Sequence, residues 1–78
     1  MSNKKSIENV SRYIDLFEKY QNLLTQNQKQ VFMLYYYEDL SYAEVAKITA
    51  TTRTAAYDAL NKAIKKLEKL DKELGTDA

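Results

Sequence analysis

Residues 40–60 read LSYAEVAKITATTRTAAYDAL, and their reading decides the fold. Ser41 stands three residues before Glu44, the spacing at which a hydroxyl and a carboxylate each close on the other residue's backbone N–H at a helix start. Leu40, directly before, takes the place of a hydrophobic staple. Ala46 is followed by Ala50 four residues on, Thr51 and Thr52 offer new N-caps, and Ala56 and Leu60 then share one face of a further helix. Small side chains on both sides of a short turn let two helices cross closely and steeply. The spacing predicts a helix-turn-helix. An ordinary helical hairpin has the same spacing and is the plainer alternative.

Towards the N-terminus, residues 31–37 are VFMLYYY, seven apolar or aromatic side chains in a row. Only Val31 is β-branched and no second strand exists to pair with the run, so it reads as a helix rather than a buried strand. Thr25 caps it, with Gln28 in the capping-box position, and it extends to about Tyr37. Its core stripe at helical spacing is Leu24, Gln28, Val31, Leu34 and Tyr35, while Phe32, Met33, Tyr36 and Tyr37 cover the remaining circumference. A helix apolar nearly all round is buried on more than one side. Tyr35 is assigned to the core; Tyr36 and Tyr37 point towards another helix or a second chain, or lie half exposed as single surface aromatics often do. Glu38 and Asp39 connect to the next helix, whose N-terminal dipole favours their charge.

The first segment places Ile7, Val10, Ile14, Phe17 and Leu24 on one helix face from about residue 6 to 23, with Ser6 as N-cap. At the other end, Ala56, Leu60, Ala63, Leu67, Leu70 and Leu74 repeat at alternating steps of four and three, and Gly75 follows as a C′ residue. A helix of this length measures about 33 Å, more than a small four-helix core needs. Its far half is expected to meet a partner. A homodimer follows, with Tyr36, Tyr37, Leu67, Leu70 and Leu74 at its interface.

Composition sets the outer limits. The 78 residues contain no proline and one glycine, which leaves almost nothing to break helices: the chain reads as an all-α, four-helix domain with a long C-terminal helix. One domain over residues 1–78 is expected, its helix-turn-helix core at about 24–70, with 1–5 and 75–78 disordered. There is no cysteine and no histidine, so neither a thiolate nor an imidazole can serve as nucleophile, base or zinc ligand. No catalytic residue, metal or cofactor is expected, and no enzymatic activity. No run approaches the ~20 apolar residues of a membrane span, so the expectation is a cytoplasmic protein with no membrane partner. Twelve basic residues face eleven acidic ones, and any basic surface has to be local.

That local surface is the last helix. With its inward row occupied, Thr54, Asp58, Asn61 and Lys65 fall on the opposite face, flanked by Arg53 and Tyr57. Arg53 suits a phosphate or a guanine edge, and Asn61 an adenine. From Thr52 to Lys69 there are five basic residues and two acidic ones. Asp58 lies in the middle of this face, where it repels phosphates unless it accepts from a cytosine amino group. Lysines that merely solvate a helix produce the same pattern.

Residues 24–60 also resemble a known family, the YlxM proteins, small bacterial helix-turn-helix proteins. The likeness rests on Leu24-Thr25 with Gln28, on Leu34-Tyr35-Tyr36 with Glu38-Asp39-Leu40-Ser41, on Glu44 and Ala46, and on Arg53 with Tyr57-Asp58. The wider class resembles sigma factor region 4, which lacks the Tyr57-Asp58 pair. Thr52 stands where the family usually has serine, Thr51 where it has an apolar residue, and the last helix stops near Leu74, earlier than the family pattern. The resemblance implies a non-enzymatic, DNA-binding regulator with a part in the signal recognition particle pathway, inferred from gene neighbourhood. The alternative it implies is a protein or RNA interaction module of that particle, with the particle's GTPase as partner.

Overall fold

A computed structural model describes residues 7–75; the N-cap expected at Ser6, the segment 1–5 and the end of the chain after Gly75 lie outside the described residues. Among these, four α-helices and no strand are present: α1 (Ile7–Tyr20), α2 (Gln26–Phe32), α3 (Tyr42–Thr49) and α4 (Arg53–Leu74). The all-α, four-helix reading holds. α4 is the spine, packed against each of the other three helices. Its inner row is Ala56, Leu60, Ala63 and Leu67, all buried as the spacing requires, and Ile64 joins them from one step round the helix.

Helix starts follow the capping chemistry. Thr25 Oγ1 accepts from the Gln28 amide at 3.1 Å while Gln28 Oε1 accepts from the Thr25 amide at 3.1 Å, a complete capping box. Ser41 and Glu44 repeat the arrangement at 3.2 and 2.9 Å, and Thr52 Oγ1 accepts from the Ala55 amide at 3.0 Å. Each cap satisfies N–H groups that have no partner inside the helix and contributes about 1 kcal/mol.

Helix ends follow it less closely. α1 stops at Tyr20, and a single 3-10 turn, Gln21–Leu23, tightens the chain so that Leu24 swings into the core while Leu23 stays at the surface. α2 does not run on to Tyr37 as an α-helix: Met33–Tyr37 form one π-helical turn, closed by the Glu38 amide donating to the Met33 carbonyl at 3.1 Å. Such single wide turns usually interrupt α-helices locally. Here the turn lies between α1 and α3 and packs an aromatic ring against each. Tyr35 stacks on Tyr42 of α3, 4.6 Å between centroids and 16° between planes. Tyr36 meets Tyr13 of α1 at 6.0 Å. Phe32, outside the expected stripe, is fully enclosed and lies parallel to Phe17 at 4.4 Å and 3°. Leu16 is a further core residue that the helical spacing did not select.

Gly75 does not take the left-handed conformation of a C′ glycine; its φ is −94° and its amide still donates to Asp71, as in the helix. Close approach favours glycine there, because a Cβ would lie 2.8 Å from the Asp71 carbonyl oxygen, a backbone atom that cannot swing aside, and 2.6 Å from the more mobile Asp71 Oδ1. Arg12 of α1 and Glu68 of α4 form an ion pair at 2.8 Å across the same pair of helices. Both side chains are substantially exposed, so the pair contributes well under about 1 kcal/mol.

Candidate nucleic-acid interface

The turn between α3 and α4 fixes how α4 is presented. Ala50 sits at φ 58° and ψ 42°, a left-handed conformation that costs an alanine about 1 kcal/mol relative to glycine. The turn recovers this through bonds on both sides. The Thr51 amide donates to the Ala46 carbonyl at 2.9 Å and the Ala50 amide to Lys47 at 3.3 Å, the paired bonds of a Schellman ending. Thr49 Oγ1 donates to the Val45 carbonyl at 2.9 Å and lies 3.0 Å from the Thr51 hydroxyl. Threonine at 51, an apolar position in the resembling pattern, is thus used to lock the turn. α4 begins immediately afterwards, and Ala46 and Ala56 are both buried at the crossing.

Arg53, Thr54, Tyr57, Asp58 and Lys65 are exposed on α4, and Asn61 is half-buried. Arg53, Thr54 and Tyr57 share an open depression with Tyr42 of α3. Tyr42 is the residue that sequence reasoning missed. It is the first residue of α3, and spacing along α4 alone cannot reveal a neighbour contributed by another helix. Tyr57 leans edge-on against it, 5.3 Å between centroids at 78°. Burial, and then the neighbouring tyrosines, raise the Tyr42 hydroxyl well above the ordinary value of 10, which keeps it neutral.

Asp58, the awkward acid of the outward face, forms an ion pair with Lys62 one turn on, at 3.2 Å. Acid before base at this spacing is the favourable orientation, worth about 0.3–0.5 kcal/mol on an exposed helix. Lys65 and Lys69 are exposed further along, with Lys66 partly covered.

The expected dimer surface divides. Tyr36 and Leu67 are buried by their own chain, Tyr36 against Tyr13, Phe32 and Tyr35, so neither is available to a second copy as the sequence had suggested. The π-helical turn carries Tyr36 onto α1 of the same chain, and Leu67 completes the inner row of α4. Tyr37 and Leu74 are exposed and Leu70 half-buried. Tyr37 donates a long hydrogen bond, 3.5 Å, to Glu18. Among the described residues no cluster of acids could hold a metal ion, and no helix is long and apolar enough to cross a membrane.

Two capped helices crossing at a locked three-residue turn, the second one long and basic outward, define a helix-turn-helix domain. The chain belongs to the family described as "Putative helix-turn-helix protein, YlxM / p13 like", which it matches over residues 7–76. It is similar to a UPF0122 protein of Clostridium perfringens strain ATCC 13124, 43% identical over 87% of this chain and 61% of the relative. A UPF0122 protein of Mycoplasma capricolum is also 43% identical, over 87% of this chain and 60% of the relative. One from Bacillus cereus strain AH187 is 38% identical over 87% and 62%. The chain thus spans about three fifths of the length of these relatives. No solved structure matches it significantly.

Proposed function

We propose that this domain works by binding nucleic acid along the outward face of α4 and carries out no chemistry of its own. The observation that carries the reading is the locked turn, which delivers Arg53, Thr54 and Tyr57 together at the exposed start of α4. In this reading Arg53 holds a phosphate or a guanine edge, Asn61 addresses an adenine, and Lys62, Lys65 and Lys69 meet backbone phosphates. Asp58 keeps Lys62 in place and limits non-specific attachment by repelling phosphate. Sequence-dependent binding would make the protein a DNA-binding regulator.

Titration of mixed-sequence duplex DNA at low and moderate salt tests the reading. Arg53→Ala is expected to weaken binding by about 1–3 kcal/mol, and Lys65→Ala to reduce the salt slope by about one. Asp58→Asn is expected to tighten non-specific binding. Equal, weak binding by the original and all three variants at low salt would sink the proposal. We also propose a cytoplasmic part in the signal recognition particle pathway, on the strength of the family resemblance alone; co-purification with that particle's RNA or GTPase tests it. Pairing of two copies would fall to Tyr37, Leu70 and Leu74, since Tyr36 and Leu67 are already covered.

A further inference from the structure

We infer that the cleft between Tyr42 and the first turn of α4 is a stacking site for an unpaired nucleobase, whose phosphate is held by Arg53. The inference rests on the nucleic-acid reading of this face and names the kind of nucleic acid it selects.

Three observations converge on the cleft. Tyr57 is 48% exposed, yet its ring is held. Tyr42 braces it edge-on at 5.3 Å, and Tyr42 is itself stacked at 4.6 Å on Tyr35, which is buried in the core. A ring braced in this way loses little freedom when a second ring stacks on it. Next, the lining is Tyr42, Arg53, Thr54 and Tyr57, one cation, one threonine hydroxyl and two phenol rings without a carboxylate. Last, the volume of about 340 Å³ lies at the small end of ligand sites, which run from about 300 to 1,000 Å³.

Charge and geometry select the occupant. A base inside a duplex shows only its edges, because its faces are covered by neighbouring pairs; stacking on a protein ring requires a face that is free. The outermost row of α4 faces a duplex with Asp58 at its centre, whereas the flank occupied by Arg53 and Tyr57 brings no acid with it. Aromatic ring, guanidinium and hydroxyl side by side match base, phosphate and sugar of one splayed nucleotide. The lysines further along α4 then track the strand.

Fluorescence anisotropy with three labelled oligonucleotides tests this, each made as DNA and as RNA to identify the source of the base. They are a fully paired mixed-sequence duplex, the same duplex with one unpaired adenine, and a single strand. The original protein is expected to bind the unpaired forms about tenfold more tightly than the paired one. Tyr57→Phe should keep that preference. Tyr57→Leu, which retains apolar bulk without a π-face, should abolish it, so that paired and unpaired forms bind equally, with the circular-dichroism melt confirming an intact fold. Arg53→Gln gives a second variant at an exposed position and should weaken all unpaired forms. Equal affinity for paired and unpaired forms, or a preference that survives Tyr57→Leu, overturns the inference while the nucleic-acid reading stands. No binding to any form overturns both.

Discussion

At one end of a continuous run of rings, Tyr36 is enclosed by Tyr13, Phe32 and Tyr35, and its hydroxyl has no hydrogen-bond partner among the described residues. At the other end Tyr57 leans on Tyr42 with half its surface in water. The same residue type meets opposite conditions. The core end gains burial and ring packing but leaves a polar atom unsatisfied, a cost of about 1–3 kcal/mol. Tyr57 itself, half in water, carries no such penalty. Stability should therefore respond to changes around Tyr36, and binding to changes at Tyr57.

The comparison is broken most forcefully at Phe32, which is fully buried and stacked on Phe17. Phe32→Ala removes that ring from the centre of the core and should cost about 3–5 kcal/mol in urea unfolding. In a domain of this size that leaves little or no folded population at room temperature. A loss below about 1 kcal/mol would mean the aromatic core repacks freely, and the distinction between its two ends would lose its basis.

Titration sharpens it further. Burial, the largest cause, raises the Tyr36 hydroxyl well above its ordinary value of 10, and burial does the same for Tyr42. The unfolded chain ionises both near 10, while the fold keeps them neutral to higher pH. Above 10 the unfolded state therefore binds fewer protons, and stability falls as pH rises; below 10 these groups cause no change. The expected slope is up to about 1.4 kcal/mol per pH unit for each hydroxyl. Tyr36→Phe removes one of them. It should stabilise the domain by about 1 kcal/mol at neutral pH, by deleting an unpartnered hydroxyl, and flatten the alkaline loss. Equilibrium unfolding at neutral pH and above 10 reads both effects, and an unchanged alkaline slope in Tyr36→Phe would count against its burial.

How much of this was legible beforehand differs by element. The caps at Thr25, Ser41 and Thr52 could be read because each depends on local contacts three residues apart. The inner row of α4 was legible because its polar and apolar faces are distinct. Residues 31–37 are apolar nearly all round, so periodicity could not choose a phase, and Phe32 and Tyr36 were assigned outside the core. The π-helical turn at Met33–Tyr37 has no marker in the sequence, since it arises from where α1 and α3 pack. The same holds for the proposed interface: the outward residues of α4 follow from its own spacing, but Tyr42 enters only through the crossing of two helices.

The smallest expected effect on stability is at Tyr57, and it is the most discriminating. Tyr57→Ala loses an edge-on contact with Tyr42, worth about 0.5–1.5 kcal/mol in a fully packed pair and less at a half-exposed one. Alanine is the better helix former by about 0.5 kcal/mol, which offsets much of that loss in the first turns of α4. The net change in unfolding free energy should be within about 0.5 kcal/mol of zero. A thermal melt checks it. A cost above about 2 kcal/mol would show that Tyr57 belongs to the core's packing after all, and its exposure could no longer be read as a surface kept for a ligand. A melt that barely moves, alongside a loss of affinity for oligonucleotides, would separate the two ends of the ring series by function.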